Sequence, residues 1–468
     1  MELYLNESII KRGALARFLK SCKAQKVDIH TLMIQKDGEL ICRLGVPPYT
    51  CSQKRQVFSM SKSFTSTAIG FACDEGLLRV EDKVLDYFPG VSCCGDRSLW
   101  EKLTIEDLLT MQTGHILDPT EPVTVMTDDW AAAFFRHPLV REPGTHYVYN
   151  TAATYMLSAI LTKLTGETVL DYLWPRLFEP LGIVPEGWGI CPKGISHGGW
   201  GIHISSEDAL KFAAFYAADG IWNGQRLLSK EWIDRATRDH RMDYDNESPD
   251  WHAGYGYQFW RNARSGYRAD GARGQFAIVY SKEGIVVSCF AMTDFIQNQL
   301  NCISTLIDEV AIDSDDDLEL AVKAMSAEYF GGMSLTLPQG TWKAAPNHFN
   351  FTWMKFLPDD EGAALLISDG SSIQKLKFGK ADWIKNRFRF HNFEPDIQLV
   401  RRPHDDPSHA ACACKMESDG LHLILRFLDT PHLLEILVRE DGDSLIFRLD
   451  WGTSGYDEAA REIRFTRL

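Results

Sequence analysis

The stretch Phe58-Ser59-Met60-Ser61-Lys62-Ser63-Phe64-Thr65 begins a segment that decides how this chain is read. Met60, Phe64, Ala68 and Phe71 recur at near-helical intervals, and Glu75-Gly76 supplies a stop, because glycine tolerates the left-handed conformation favoured at a helix end. Ser59 is therefore expected at or just before the first turn of a buried helix. Lys62 lies three residues on, almost one turn away, so its ammonium can reach the Ser59 hydroxyl. A hydroxyl held against an amine is one route to an activated nucleophile. Alone, Ser-x-x-Lys is a weak pattern. A second copy, Ser372-Ile373-Gln374-Lys375, falls in a run of strand character, where residues three apart point to opposite faces.

The second informative stretch is Arg141-Glu142-Pro143-Gly144-Thr145-His146-Tyr147-Val148-Tyr149-Asn150-Thr151. A Pro-Gly turn leads into a Tyr-rich segment directly before a helix pattern. The Tyr149 phenol, with a reference pKa of about 10, suits a proton carrier beside a lysine.

Together with Leu108-Leu109-Thr110-Met111-Gln112-Thr113-Gly114-His115 and with Gly198-Gly199-Trp200-Gly201 ahead of a helix from Glu207, these motifs resemble the serine β-lactamase-like family over roughly residues 25–310. That family includes class C β-lactamases, D-alanyl-D-alanine peptidases, esterases and nylon-oligomer hydrolases. The resemblance implies that Ser59 is the acylated nucleophile, that Lys62 eases removal of its proton, and that Tyr149 shuttles the proton to the leaving group. It also implies an oxyanion hole from the backbone N–H groups of Ser59 and Ala272. A cationic Lys62 would favour a tyrosinate beside it, whereas a desolvated Lys62 would itself be the base; the sequence is consistent with both.

Two departures from the family pattern shape the expected activity. Thr151 replaces an asparagine, keeping a hydroxyl but losing the amide. The family's Lys-Thr-Gly strand is replaced by Ala269-Asp270-Gly271, so the cation that receives a β-lactam or peptide carboxylate is missing. Arg268 and Arg273 are the nearby candidates to supply it, and Thr151, Asp270, Gly271, Arg268 and Arg273 form the expected substrate-binding set. The expectation is a serine hydrolase acting on a small-molecule or peptide-like acyl substrate as an esterase, amidase or peptidase, with weak or no β-lactamase activity. The contrasting expectation is a binding or sensor module that keeps the fold and has lost turnover.

The totals bound the alternatives. The chain has 468 residues, a net charge of −15 and 45% hydrophobic content, which fits a sizeable globular core and disfavours nucleic acid or an anionic membrane surface as partner. No run reaches the roughly 18–20 apolar residues of a membrane helix, and Met1 to Lys11 lacks the pattern of a signal peptide. Eleven cysteines, including the vicinal Cys93-Cys94, fit reduced thiols and a cytoplasmic location. Neither a cofactor nor a metal is expected. Gly194-Ile195-Ser196-His197-Gly198 has the form of a nucleophile elbow without a strand before it or a helix after it. His404, Asp405, Asp406, His409, Cys412 and Cys414 fit no zinc spacing.

Patterning predicts an α+β fold: a helix in 8–26, a hairpin of Ile29 to Ile34 and Glu39 to Leu44, helices at Leu103 to Met111, 151–166, Glu207 to Ala218 and Gln297 to Val310, and strands at Gln275 to Tyr280 and Gly284 to Ala291. By resemblance, residues 1–312 form a β-lactamase/transpeptidase-like domain, an antiparallel sheet with flanking helices and a helical subdomain. Residues 313–329 read as an acidic linker. Residues 330–468, with short alternating segments and turns such as Asp441-Gly442, read as a C-terminal antiparallel β barrel or sandwich.

Overall fold

The computed structural model describes residues 1–125, 127–241, 248–389, 408–451 and 462–468. They divide into two compact units, one of Leu32–Arg43 with Gln56–Phe290, the other of Met1–Thr31, Leu44–Arg55 and Ala291–Leu468.

In the first unit the sheet order is Glu39–Gly45, Asp28–Lys36, Ile285–Met292, Gln275–Tyr280, Tyr267–Gly271 and Trp260–Arg261. The last four strands pair antiparallel, with Asp270 opposite Phe276 and Gln275 opposite Phe290. The hairpin forms as the sequence predicts: Asp37 and Gly38 take φ of +48° and +87°, the left-handed pair a tight turn needs. Gln275–Tyr280 and Ile285–Met292 are buried at every position, which is why they read as continuous apolar runs rather than alternating ones. The helix Ser206–Ala217, capped by Ser205, packs on Gln275–Tyr280.

The expected Ser59 helix starts as a single 3-10 turn, Phe58–Met60, and continues as the α-helix Ser61–Asp74. Every residue from Ser61 to Ala72 is buried, so the helix is an axle of the unit rather than an amphipathic cover. Phe64 stacks on Phe212 with centroids 3.9 Å apart. The helix Thr151–Thr165 packs beside it and ends at Gly166 with φ +75°. The segment expected as Leu103 to Met111 narrows to the helix Ile105–Leu109, because the Thr104–Asp107 capping box sets its start.

In the second unit the helix Arg12–Ala24 packs on Ile296–Glu309 and Leu318–Ser326. The last of these lies within 313–329, expected as an acidic linker, with Leu318, Ala321, Val322 and Met325 buried. Beyond it, ten strands from Thr341–Ala344 to Glu462–Arg467 form one sheet in which neighbours pair antiparallel. The strand Ile373–Gly379 also pairs with Ser408–Glu417 in parallel at Gly379 and Ala413, closing the sheet into a barrel. Between barrel and sandwich, this closure decides for the barrel. Alternate residues such as Leu421, Leu423, Leu425 and Phe427 belong to its core. His409, Cys412 and Cys414 lie on the strand Ser408–Glu417, with both thiols buried, while 404–406 fall outside the described residues. Among the described residues, no helix is long and apolar enough to cross a membrane.

Removing the Phe64 ring would leave a cavity against Phe212 at the centre of the first unit. Phe64→Ala should destabilise that unit by about 3–5 kcal/mol, read as a lowered denaturant midpoint.

Candidate active site

The turn that carries Ser59 is held from three sides. Phe58 adopts φ +47°, a left-handed conformation uncommon for a residue with a side chain and one that must be stabilised by its surroundings. Val57 N–H donates to the Ile202 carbonyl at 3.1 Å. Ser61 Oγ donates to the Phe58 carbonyl at 2.6 Å and accepts from Ile202 N–H at 3.2 Å. Gly271 closes the third side: a Cβ there would lie 2.1 Å from the Val57 carbonyl oxygen, so the strand Tyr267–Gly271 can approach the turn only with glycine at that position.

Lys62 is buried one helical turn beyond Ser59, and its Nζ donates to Ser59 Oγ at 2.9 Å and to the Gly199 carbonyl at 2.8 Å. Among the described residues no carboxylate lies within ion-pair distance of it. Burial lowers its pKa to about 7, although the charges of Asp118 and Asp270 pull the other way. Gly199 is a matched part of this contact, since a Cβ there would meet Thr151 Cγ2 at 2.6 Å and Lys62 Nζ at 3.5 Å.

Tyr149 completes the constellation, with the Ser59 side chain close enough to act on its phenol. Burial pushes that phenol well above its ordinary pKa, and the neighbouring Ser59 side chain only partly offsets this. Its ring lies 5.0 Å from Lys62 Nζ and stacks on Trp260 at 5.9 Å. The Tyr149 segment is fixed by Val148 N–H donating to the Met111 carbonyl at 3.0 Å and by Asn150, the N-cap of the helix Thr151–Thr165. Asn150 Oδ1 accepts from Ala153 N–H at 3.0 Å, and its Nδ2 donates to Thr113 Oγ1 at 3.2 Å. Hydroxyl, amine and phenol thus meet from two distant parts of the chain.

The expected substrate-binding residues are distributed differently. Thr151 begins the helix with its N–H on Asp118 Oδ2 at 3.1 Å. Arg268 and Asp270 share one face of their strand and form an ion pair at 2.9 Å. Arg268 is wholly buried, with Nη1 on the Arg261 carbonyl at 2.8 Å and Trp251 stacked 4.5 Å away, so its charge is committed inside the protein. Asp270 is held by burial at a raised pKa of about 6, which Arg268 partly opposes. Ala272 and Arg273 form the turn after the strand, Arg273 at φ +63°.

Three contributors carry no recognisable signal in the sequence. Asp118 caps the first amide of the Tyr149 helix from a separate loop. Gln258, at φ +66°, joins three elements: its Nε2 donates to the Leu109 carbonyl at 2.7 Å, its Oε1 accepts from Thr154 Oγ1 at 2.6 Å, and its own carbonyl accepts from Ser63 Oγ at 2.7 Å. Trp260 walls the phenol. Ser196, by contrast, is buried in a non-helical segment and its carbonyl accepts from Ser158 Oγ at 2.7 Å, as expected for a pattern lacking the elbow's strand and helix.

A family model described as Beta-lactamase matches residues 31–295, more than half of the chain. The chain belongs to the Beta-lactamase family. Among its relatives, 6-aminohexanoate-dimer hydrolase of Paenarthrobacter ureafaciens is 22% identical in an alignment over 255 residues that covers 49% of this chain and 62% of that protein. An uncharacterized protein of Mycobacterium tuberculosis is 24% identical over 281 residues, 49% of this chain and 69% of the other. Among solved structures, the octameric penicillin-binding protein homologue from Pyrococcus abyssi aligns over 97% of this chain and 99% of its own, with a TM-score of 0.51 at 16% identity. That likeness is one of fold.

Because Asn150 both caps a helix and spans to Thr113, Asn150→Ala should cost about 1–3 kcal/mol in chemical denaturation, and Asn150→Asp, which keeps the cap, should cost less.

Proposed function

We propose that the protein is a serine hydrolase that transfers the acyl group of a small ester, amide or peptide to Ser59 and then to water. The observation that carries this reading is the 2.9 Å contact between a buried Lys62 amine and Ser59 Oγ. The hydrolase named among its relatives supports the same reaction class. Of the two bases compatible with the sequence, the site favours Lys62: burial frees its amine of a proton near neutral pH, while it keeps the Tyr149 phenol protonated.

In this mechanism Lys62 accepts the Ser59 proton as Oγ attacks the acyl carbon. The backbone N–H groups of Ser59 and Ala272 receive the developing oxyanion. The proton passes from Lys62 through the Tyr149 phenol to the leaving group, whose bond to the acyl carbon breaks. A water molecule then attacks the acyl carbon while giving a proton to the same amine; the bond to Ser59 Oγ breaks, the acid leaves, and Lys62 returns the proton to Oγ. With Ala269 where the family carries a cation and Asp270 beside it, a β-lactam carboxylate has no counter-charge, so the reading includes weak or no β-lactamase activity.

A fluorophosphonate probe should form an adduct on the peptide containing Ser59, and Ser59→Ala should abolish it; no adduct on the folded wild-type protein would favour a binding module instead. Lys62→Ala should lower kcat/KM for a p-nitrophenyl ester by about 10²–10⁴-fold. Wild-type kcat/KM should rise with pH through about 7 as the Lys62 ammonium loses its proton. Nitrocefin turnover matching ester turnover would contradict the stated preference.

A further inference from the structure

Resting on the reading of Ser59 as the acylated nucleophile with its own N–H in the oxyanion hole, we propose that Ser61 is a positioning residue whose hydroxyl aims and polarises that N–H through the peptide group between Phe58 and Ser59. The Phe58 carbonyl and the Ser59 N–H belong to one planar unit. A bond that fixes the carbonyl therefore fixes the direction of the N–H on the other side of the plane. Ser61 Oγ donates to that carbonyl at 2.6 Å, and Ser61 is fully buried.

A serine hydroxyl bonded to the carbonyl three residues back is commonplace in helices. Two features set this one apart. The hydroxyl is itself gripped from behind, accepting from Ile202 N–H at 3.2 Å, and Ile202 lies on a strand paired with Gly187–Trp188. The peptide unit it holds also follows Phe58, whose φ of +47° is a strained conformation for a residue with a side chain. Relaxing Phe58 would rotate the peptide groups on either side of it and swing the Ser59 N–H out of line. The preceding groups are tied as well: Val57 N–H donates to the Ile202 carbonyl at 3.1 Å, and Met60 N–H to the Val57 carbonyl at 3.2 Å. The Phe58 carbonyl accepts from the Ser61 N–H too, a bond made along the helix backbone. The hydroxyl is the tie that leads from this peptide group out of the helix.

These bonds run head to tail: Ile202 N–H to Ser61 Oγ, Ser61 O–H to the Phe58 carbonyl, then across the amide to the Ser59 N–H. Each polarises the next, by about 10–30% per bond. As negative charge gathers on the acyl oxygen, the Ser59 N–H meets it with a larger partial positive charge and with its direction already set. The Ser61 proton is not transferred, and no covalent bond to Ser61 forms or breaks.

The test compares a p-nitrophenyl ester with the thiono ester of the same acid, whose sulfur accepts hydrogen bonds weakly and so gains little from the hole. Outright loss of one oxyanion donor costs about 10²–10³-fold in kcat, so Ser61→Ala, which weakens one, should lower kcat for the ester about tenfold with little change in KM. The loss on the thiono ester should be clearly smaller. The rise of kcat/KM through about pH 7 should stay in place, because Lys62 is untouched. Thr67→Val is the matched control: it removes a buried hydroxyl of the same helix that bonds to the Ser63 carbonyl at 2.8 Å, away from the turn, and should leave the ester-to-thiono ratio unchanged. Ser61→Cys, nearly isosteric and a weak donor, gives the same reading should Ser61→Ala fail to fold. An ester rate within about twofold of wild type, equal losses on the two substrates, or a displaced pH inflection would overturn the role of Ser61 and leave the hydrolase reading intact, because the wild-type protein would still cleave the ester. Absence of both ester turnover and a fluorophosphonate adduct in the wild-type protein would overturn both.

Discussion

Everything at the candidate site follows from burying one amine without pairing it to a carboxylate. A lysine in water holds its proton to about pH 10, and a catalytic base with that affinity would be idle at neutral pH. Enclosing Lys62 in the first turns of a helix whose residues are all buried from Ser61 to Ala72 penalises the ammonium, and the two polar contacts it keeps, to Ser59 Oγ and the Gly199 carbonyl, serve the neutral amine as well as the charged one. The carboxylates Asp118 and Asp270 stand near enough to moderate the shift and too far to neutralise it as ion-pair partners. Had either been in direct contact, the lysine would have stayed charged.

Holding an amine in that state requires a rigid enclosure, and the fold supplies it through close backbone approaches rather than through special side chains. Gly271 lets the strand Tyr267–Gly271 meet the turn that carries Ser59, and Gly199 lets a loop carbonyl reach Lys62; at each position a methyl group would collide with a neighbouring atom. Phe58 carries the remaining strain in its left-handed backbone. The Tyr149 side is fixed by capping: Asn150 satisfies the helix start from within, and Asp118 satisfies its first amide from outside. Gln258 then joins the helices that carry Ser63 and Thr154 to the end of Ile105–Leu109.

Much of this was legible in the sequence because the determinants are local. Gly76 and Gly166 end helices in the left-handed conformation, Ser205 starts one, and Asp37-Gly38 turns a hairpin, each by chemistry contained within a few residues. The barrel strands announced themselves by alternation, whereas closure did not, because it depends on a single parallel pairing of Gly379 with Ala413. The site was legible where motifs sit on one element, as with Ser59 and Lys62. It was opaque where a residue acts across the fold: Asp118 and Gln258 match no pattern, since their partners lie far away in the chain. Arg268 is the instructive case. It was expected as a candidate to receive a substrate carboxylate, yet strand alternation puts it on the same face as Asp270, and the two neutralise one another in the interior.

The state of the Lys62 amine is the point on which the account turns, and it can be observed without any substrate. In protein labelled with carbon-13 at the lysine ε-position, the resonance assigned by its loss in Lys62→Arg should titrate with a midpoint near pH 7, well separated from the other lysines. A Lys62 midpoint at the ordinary value of about 10.4 would contradict the account, because the buried group would then be an ammonium and not a base.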